Sequence, residues 1–185
     1  MGREIEHKFL VAGGAWRAAA ARRTKMVQGY LAGGARASVR VRIAGDRAWL
    51  NVKGGGYVAS RQEFEYAIPV DDAREMLESL CDGPLVEKTR HFVPHGGLEW
   101  EVDEFHGRNE GLVVAELELD REGQPFDRPP WLGPEVTHLP RYYNVRLVEH
   151  PYSEWTAAER EPDAGRDGRD PDAGRDGEPD AGRPA

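Results

Sequence analysis

Charged and apolar residues alternate along eight segments of this chain, and this alternation constrains the fold more than any other feature. Successive side chains of a β-strand point to opposite faces, so a period of two predicts strands with one charged and one apolar face. In the first segment, the charged face carries Glu4, Glu6 and Lys8. The eight predicted strands are 3–11, 26–32, 36–44, 47–53, 60–69, 85–93, 98–105 and 112–120.

Short connections rich in Gly, Asp and Asn join many of these strands. Such turns favour antiparallel neighbours, and eight antiparallel strands can close into a barrel that leaves no exposed edge. We therefore predict a mainly β fold: an eight-stranded antiparallel barrel with three helices, at 15–25, 72–81 and 139–148. Asp72 and Glu75 are expected to form a capping box at the start of the second helix.

The charged faces are sorted by sign from strand to strand. Two like charges about 6 Å apart repel by roughly 3 kcal/mol at an effective dielectric of ~20, and by less in water, so a solvent-facing surface gains nothing from such sorting. We therefore expect the charged face to line the inside of the barrel, although an outward-facing charged surface is the usual meaning of alternation. The sorted faces carry Arg36, Arg40 and Arg42; Lys53; Glu63 and Glu65; Lys88 and Arg90; Glu99, Glu101 and Asp103; and Glu116 and Glu118.

The last part of the chain differs from the rest. The sequence PDAGR occurs three times between Pro162 and Arg183, with many Pro, Gly and Asp residues and no large apolar side chain. A segment of this composition buries too little surface to offset its ordering entropy. We predict one tunnel domain over 1–158 and a disordered low-complexity tail over 159–185.

Composition limits the partners and the compartment. The formal net charge is −8, which does not indicate a nucleic-acid or membrane partner. Cys81 is the only cysteine, so no internal disulfide can form, as is common in reducing compartments. The first residues are charged and no long apolar run follows them, so we expect a cytoplasmic protein without a signal peptide or membrane helix. The sequence does not decide between a monomer and a homodimer.

A tunnel that holds both signs of charge suits one class of ligand. Guanidinium and ammonium groups bind phosphate oxygens, while carboxylates would repel a polyphosphate unless a divalent metal lay between them. Hard oxygen ligands select Mg²⁺ or Mn²⁺. The expected ligand is therefore a metal-bound polyphosphate.

Several motifs occur in an order that resembles the CYTH superfamily, the triphosphate tunnel metalloenzymes. EIEHK at 4–8 matches the E-x-E-x-K signature, and the resemblance covers about residues 3–152. The other matching motifs are QGYL at 28–31, VRVR at 39–42, VKG at 52–54, EFE at 63–65, EKTR at 87–90, EVDEF at 101–105, AELEL at 115–119 and EVTHLPRYYN at 135–144.

This resemblance implies site residues of three kinds. The catalytic set would be Glu4, Glu6, Lys8, Lys88 and Arg90. The substrate-binding cations would be Lys8, Arg40, Arg42, Lys53, Lys88 and Arg90. The metal ligands would come from Glu4, Glu6, Glu63, Glu65, Asp103, Glu116 and Glu118.

The resemblance also implies the activity. We expect metal-dependent hydrolysis of tripolyphosphate to pyrophosphate and phosphate. One alternative is a nucleoside or thiamine triphosphatase, or a class IV-type adenylyl cyclase. A second is a non-catalytic polyphosphate-binding module, although a pure anion binder would not need the acidic residues.

Overall fold

The computed structural model describes residues 2–34 and 36–161, and it contains nine strands with a few short helices. The strands are β1 Gly2–Val11, β2 Arg22–Gly33, β3 Ala37–Ala44, β4 Arg47–Gly54, β5 Ser60–Ile68, β6 Asp82–His95, β7 Leu98–Phe105, β8 Val113–Glu118 and β9 Leu132–Glu135. The α-helices are α1 Trp16–Ala19, α2 Val70–Ser79, α3 Asn144–Glu149 and α4 Ala157–Arg160. Three single 3₁₀ turns lie at Gly107–Asn109, Pro140–Tyr142 and Tyr152–Glu154.

Eight of the strands form a closed antiparallel barrel. Their order is β5-β4-β3-β2-β6-β7-β8-β1, and β1 closes the barrel by pairing with β5. Every pair is antiparallel, which confirms the predicted barrel. The ninth strand, β9, pairs with the far end of β1 at Phe9 and Val11 and was not predicted. Its sequence, Leu-Gly-Pro-Glu, is too short to alternate and contains two residues that are unfavourable in strands.

The first predicted helix is mostly wrong. Only Trp16–Ala19 is helical, and the chain is already a strand at Arg22. Arg22 pairs with Phe92 and Thr24 pairs with Arg90, so β6 draws this segment into the sheet. Pairing between distant strands has overridden the local helix preference of an Ala- and Arg-rich sequence.

The other two predicted helices are displaced at their ends. Helix α2 begins at Val70 after Pro69, so Asp72 lies inside the first turn and the expected capping box does not form. The third predicted helix divides into the 3₁₀ turn Pro140–Tyr142 and helix α3, because Tyr143 between them has an extended backbone.

Apolar side chains cover much of the outside of the barrel, although Phe64 and Tyr66 on β5 are exposed. Phe9, Trp100 and Leu117 are fully or almost fully buried in a cluster with Trp131 from the segment that leads into β9. Helix α2 covers another part of the outer face by packing Leu77 with Val41 and neighbouring residues of β3 and β4. The apolar sides of the strands therefore point outward, as predicted, and the charged sides point inward.

One end of the barrel is closed. Val86, Phe105 and Val114 lie two residues from charged tunnel positions on β6, β7 and β8, so they share the inward face. These apolar side chains pack with Tyr142 and Leu147 from the region of α3. The charged interior is consequently shut off at this end.

The predicted domain boundary lies near the limit of the described residues. Helix α4 includes Glu159 and Arg160, the first residues of the segment predicted as a tail, and the remainder beyond Glu161 lies outside the described residues. No helix in the described part of the chain is long and apolar enough to cross a membrane.

Candidate active site

A cavity of about 200 Å³ runs into the barrel and is lined almost entirely by charged side chains. All of the residues proposed from the sequence line it except Lys88 and Asp103, which are buried directly behind it. The lining carboxylates are Glu4, Glu6, Glu63, Glu65, Glu101, Glu116 and Glu118. The lining cations are Lys8, Arg40, Arg42, Lys53, Arg61 and Arg90.

Strand register decides which charges meet. Lys8 lies opposite Glu116 across the β1–β8 pair, and Lys53 lies opposite Glu63 across the β4–β5 pair. The same register also sets Glu6 opposite Glu118. The tunnel therefore has one region of matched charges and another in which carboxylates face one another.

The matched region, which we call the inner layer, consists of Lys8, Lys88, Arg90, Asp103 and Glu116. Lys8 and Arg90 each form an ion pair with Glu116, and Arg90 also binds Asp103 with Nε at 2.7 Å from Oδ1. Burial acts to raise the pKa of Glu116, but Lys8 and Arg90 outweigh it and hold that pKa well below its usual value. Burial likewise opposes the charge of Lys8, yet Glu116 and Glu6 raise its pKa. These charges are fixed before any ligand arrives.

Lys88 is the exception within the inner layer. It is 2% exposed and forms an ion pair with Asp103. Burial and the neighbouring charge of Arg90 nevertheless lower the pKa of Lys88 to about 8. An anion bound near this lysine would favour its charged form.

The second region, which we call the acidic rim, consists of Glu4, Glu6, Glu63, Glu101 and Glu118, of which the first four form ion pairs with Lys8, Lys53, Arg61 or Arg90 in the described part of the chain and Glu118 does not. Burial, followed by the charges of the other four glutamates, raises the pKa of Glu118. Among the described residues Glu118 has no ion-pair partner. A cation would relieve this repulsion, which indicates a place for positive charge.

Several other buried polar atoms have no hydrogen-bond partner among the described residues. Arg40 is 6% exposed and forms no ion pair with a carboxylate in the described part of the chain, and its Nε has no hydrogen-bond acceptor. Both polar atoms of the fully buried Gln28 amide also lack partners. Burial and the like charges of Arg40 and Arg90 lower the pKa of Arg42 to about 10. Unsatisfied buried donors and crowded cations indicate a place for an anion.

The carboxylates also fit a divalent metal by their chemistry. Several glutamate oxygens converge on the acidic rim, and hard cations prefer such ligands. Among residues 2–34 and 36–161, no three of these groups are already arranged as a metal site. Glu4 instead accepts hydrogen bonds from Lys53 at 2.8 Å and from Arg61 at 3.1 Å. Binding a metal through Glu4 would therefore require these contacts to rearrange.

Two lining residues had no role in the sequence-based assignment, although a signal was present for both. Arg61 precedes Glu63 by two positions on β5, and Glu101 precedes Asp103 by two on β7, so each shares the inward face of its strand. Tyr143 also lines the cavity, and Lys8 lies 5.1 Å from the centre of its ring. Tyr143 lies between a 3₁₀ turn and a helix, where no strand period applies.

Comparison with known proteins gives a consistent result. A model described as the CYTH domain matches residues 2–150. An inorganic triphosphatase from Acetivibrio thermocellus is 48% identical over 155 residues, which make up 84% of this chain and 99% of that protein. An inorganic triphosphatase from Nitrosomonas europaea is 40% identical over 150 residues, or 78% of this chain and 96% of that protein.

A solved structure resembles the whole barrel. The crystal structure of the inorganic triphosphatase NE1496 matches with a TM-score of 0.55 and 35% sequence identity, covering 78% of this chain and 93% of that chain. The family match spans most of the chain and includes every strand of the barrel. The resemblance read from the motifs is thereby confirmed, and the chain belongs to the CYTH domain family.

Proposed function

We propose that this protein is a metal-dependent enzyme that hydrolyses inorganic triphosphate to pyrophosphate and phosphate inside the tunnel. The observation that carries the proposal is a double deficit of charge within one cavity. Arg40 forms no ion pair with any described residue and its Nε has no acceptor there, and burial and the neighbouring glutamates raise the pKa of Glu118. A polyphosphate bound to a divalent metal supplies the missing anion and the missing cation together. The curated relatives with 48% and 40% identity are both named inorganic triphosphatases.

The cations of the tunnel hold the phosphates. The Nε atoms of Arg40 and Arg42 on β3 have no acceptor among the described residues, although Nη2 of Arg42 donates to Glu65, and guanidinium groups bind phosphate oxygens in pairs. Lys8, Lys88 and Arg90 come from the inner layer, where their carboxylate partners fix their positions. Lys53 completes the proposed substrate-binding set. This arrangement offsets the charge that develops on the leaving pyrophosphate.

The acidic rim contributes a site for Mg²⁺ or Mn²⁺ and a proton acceptor. The candidate ligands expected from the resemblance are Glu4, Glu6, Glu63 and Glu118 of the acidic rim, Glu65, and Asp103 and Glu116 of the inner layer. Because Asp103 and Glu116 are already bound by Lys8, Lys88 and Arg90, the ligands that we propose are the rim glutamates and Glu65. A bound metal would neutralise phosphate oxygens and lower the pKa of a nearby water. Glu101 and Glu118 have raised pKa values, caused first by burial, so they accept a proton more readily than Glu63 and Glu116, whose pKa values are lowered.

The reaction then balances as a simple hydrolysis. The oxygen of water forms a bond to the terminal phosphorus, and the bond from that phosphorus to the bridging oxygen breaks. The proton released by water passes to a glutamate of the acidic rim. Phosphate and pyrophosphate leave, and the cations of the tunnel hold the charge of the pyrophosphate until it departs.

The proposal also includes the bounds of the domain, the cellular compartment and the partners. We place the tunnel domain at 1–158 and expect a cytoplasmic enzyme, since the single cysteine is consistent with a reducing compartment. No specific feature favours a nucleic-acid or membrane partner.

The test is to incubate the purified protein separately with tripolyphosphate, ATP and thiamine triphosphate. Each substrate is offered with Mg²⁺, with Mn²⁺ and with EDTA, and every product is identified. Rapid metal-dependent formation of phosphate and pyrophosphate from tripolyphosphate, with slow turnover of the other two, is expected. Faster turnover of an organic triphosphate, or cyclic AMP with pyrophosphate from ATP, would replace the proposal with one of the alternatives. Tight binding without turnover would leave only the polyphosphate-binding module.

A further inference from the structure

A second cavity, which we call the vestibule, adjoins the tunnel. Its volume is about 440 Å³, compared with about 200 Å³ for the tunnel cavity. Two glycine-rich turns, at 33–34 and 54–56, form one side of the vestibule, and Tyr57 and Arg146 form another. Ser38, Arg61 and Val145 line both cavities. These three residues therefore form the boundary between the two spaces.

The vestibule differs from the tunnel in its chemistry. Arg146 is already paired with Glu149 at 2.6 Å, so little net charge is offered to a ligand. The ring of Tyr57 packs edge-on against Tyr143, with 5.0 Å between ring centroids. The glycines carry no side chain, so they leave room in the vestibule, although the N–H groups of Gly34 and Gly55 already donate to Ala37 and Arg36. A flat group that forms hydrogen bonds, such as a nucleoside, suits this space better than further phosphates do.

Arg61 is held firmly in the boundary. Its Nε lies 3.1 Å from Oε2 of Glu4, and its Nη2 lies 3.4 Å from Oε2 of Glu6. The guanidinium also lies 5.3 Å from the centre of the Tyr143 ring, and the side chain is only 12% exposed. Contacts on several sides keep this long side chain in one place. We call Arg61, Glu4 and Glu6 together the clasp.

We propose that Arg61 determines substrate specificity by closing the tunnel toward the vestibule. A triphosphate with free ends fits inside the closed tunnel, whereas a triphosphate that carries a nucleoside needs room beyond its last phosphate. That room exists in the vestibule, but the clasp separates it from the phosphates. In this proposal Glu4 and Glu6 keep their contacts with Arg61, and Glu63, Glu65 and Glu118 are the glutamates left to hold the metal. This inference rests on the proposed triphosphatase function and adds to it a residue that favours inorganic over nucleoside triphosphates.

The first experiment compares tripolyphosphate with ATP in wild type and in Arg61→Ala. The ratio of kcat/KM for tripolyphosphate to kcat/KM for ATP should fall at least about tenfold, chiefly through a lower KM for ATP. Arg42→Ala is the matched control, because Arg42 lines only the tunnel. In that variant kcat/KM should fall for both substrates, and the ratio of the two kcat/KM values should stay within about twofold of wild type. A parallel loss in Arg61→Ala would overturn the proposal and leave Arg61 as a phosphate contact.

A second substitution tests whether the nucleoside occupies the vestibule. Tyr57→Ala, added to Arg61→Ala, should remove most of the gain with ATP and leave tripolyphosphate hydrolysis at the level of the single variant. An ATP gain that persists without Tyr57 would contradict the assignment of the vestibule. If Arg61→Ala does not fold, as judged by thermal melting, Arg61→Gln keeps much of the side-chain length and removes the bridging charge.

A binding measurement separates this proposal from the proposed reaction. The dissociation constants of tripolyphosphate and of ATP are measured by calorimetry in EDTA, where no turnover is expected. The ratio of the dissociation constant of ATP to that of tripolyphosphate should be at least about tenfold lower in Arg61→Ala than in wild type. Absence of turnover by wild type with metal present would refute the proposed reaction but not the role of Arg61. An unchanged ratio of the two dissociation constants would refute the role of Arg61 but not the reaction.

Discussion

Glu116 and Glu118 lie two residues apart on β8, and both point into the tunnel, but their surroundings differ. Glu116 belongs to the inner layer, where Lys8 and Arg90 keep its pKa well below the usual value. Glu118 belongs to the acidic rim, where burial and four other glutamates raise its pKa. The same residue type is stabilised as an ion in one region and destabilised as an ion in the next.

The difference separates what the protein supplies from what it leaves for a ligand. Buried ion pairs of the inner layer need no partner from outside, and they hold Lys8 and Arg90 in position. In the acidic rim, Glu118 forms no ion pair with another described residue, and neither does Arg40 of the tunnel wall, although Glu4, Glu6, Glu63 and Glu101 are paired with cations. We infer that the inner layer is built for positioning, and that the acidic rim is built for a cation.

The largest effect is expected from Glu116→Gln in the inner layer. This change leaves Lys8 and Arg90 with an uncompensated share of buried positive charge, and breaking a buried ion pair typically costs about 3–5 kcal/mol. The free energy of unfolding, measured with urea, should fall by about that amount, and turnover should be lost as well. A loss below about 1 kcal/mol would contradict the view that the inner layer supports the fold.

Arg40→Met should separate activity from stability. Arg40 is buried without a carboxylate partner among the described residues, so the fold gains little from its charge. Its removal should lower kcat/KM for tripolyphosphate by about 10²–10³-fold, as the loss of a preorganised donor does. The free energy of unfolding should not decrease by more than about 0.5 kcal/mol. Wild-type turnover in this variant would remove Arg40 from the proposed site.

The inner layer should also give the enzyme a pH limit through Lys88. In the free enzyme the pKa of Lys88 is lowered to about 8, so this lysine loses its charge above that pH. If the charged lysine binds substrate, kcat/KM should fall by about tenfold per pH unit above pH 8. Lys88→Arg should stay charged and move the fall to higher pH. Titration of tripolyphosphate itself is common to both enzymes, so an identical profile in both would exclude Lys88 as the cause.

The sequence was informative wherever a local period determines the structure. Alternation placed Lys8, Arg90 and Glu116 on the charged face of their strands, because the side to which a strand residue points depends only on its position along the strand. The sorting of the charges by sign then predicted that this face lines the inside of the barrel. Neither pattern could show that Glu6 would meet Glu118 while Lys8 meets Glu116, since that depends on the register between β1 and β8. The distinction between the inner layer and the acidic rim is therefore a property of the folded barrel.

The features that sequence reasoning missed depend on contacts between distant segments. Arg22 is in a strand rather than a helix because it pairs with Phe92, some seventy positions away. The four residues of β9 are extended because β1 offers them an edge beyond the end of its pairing with β5. Arg61 had the correct inward position, but its role follows from the vestibule, which the turns and α3 form together. Such features have no periodic signal of their own.

The smallest effect is expected at the acidic rim itself, from Glu118→Gln. A carboxylate whose pKa is raised by folding destabilises the folded state above that pKa, and the penalty disappears as pH falls through it. At pH 7 without metal, the free energy of unfolding of Glu118→Gln should therefore be slightly higher than that of wild type. The gain should be only about 0.3–0.5 kcal/mol, because more than a third of the side chain is exposed and water screens the repulsion. It should vanish near pH 4.

Divalent metal should make wild type more stable than Glu118→Gln. Added Mg²⁺ or Mn²⁺ stabilises the folded state in proportion to its binding, so the melting temperature of wild type should rise more than that of Glu118→Gln. Equal shifts in both proteins would mean that the metal binds without Glu118. Greater wild-type stability in EDTA would mean that the neighbouring carboxylates do not repel it. The second result would remove the contrast between Glu118 and Glu116, because Glu118 would then be as well compensated as the inner layer. The first would leave that contrast in place and remove only the role of Glu118 as a metal ligand.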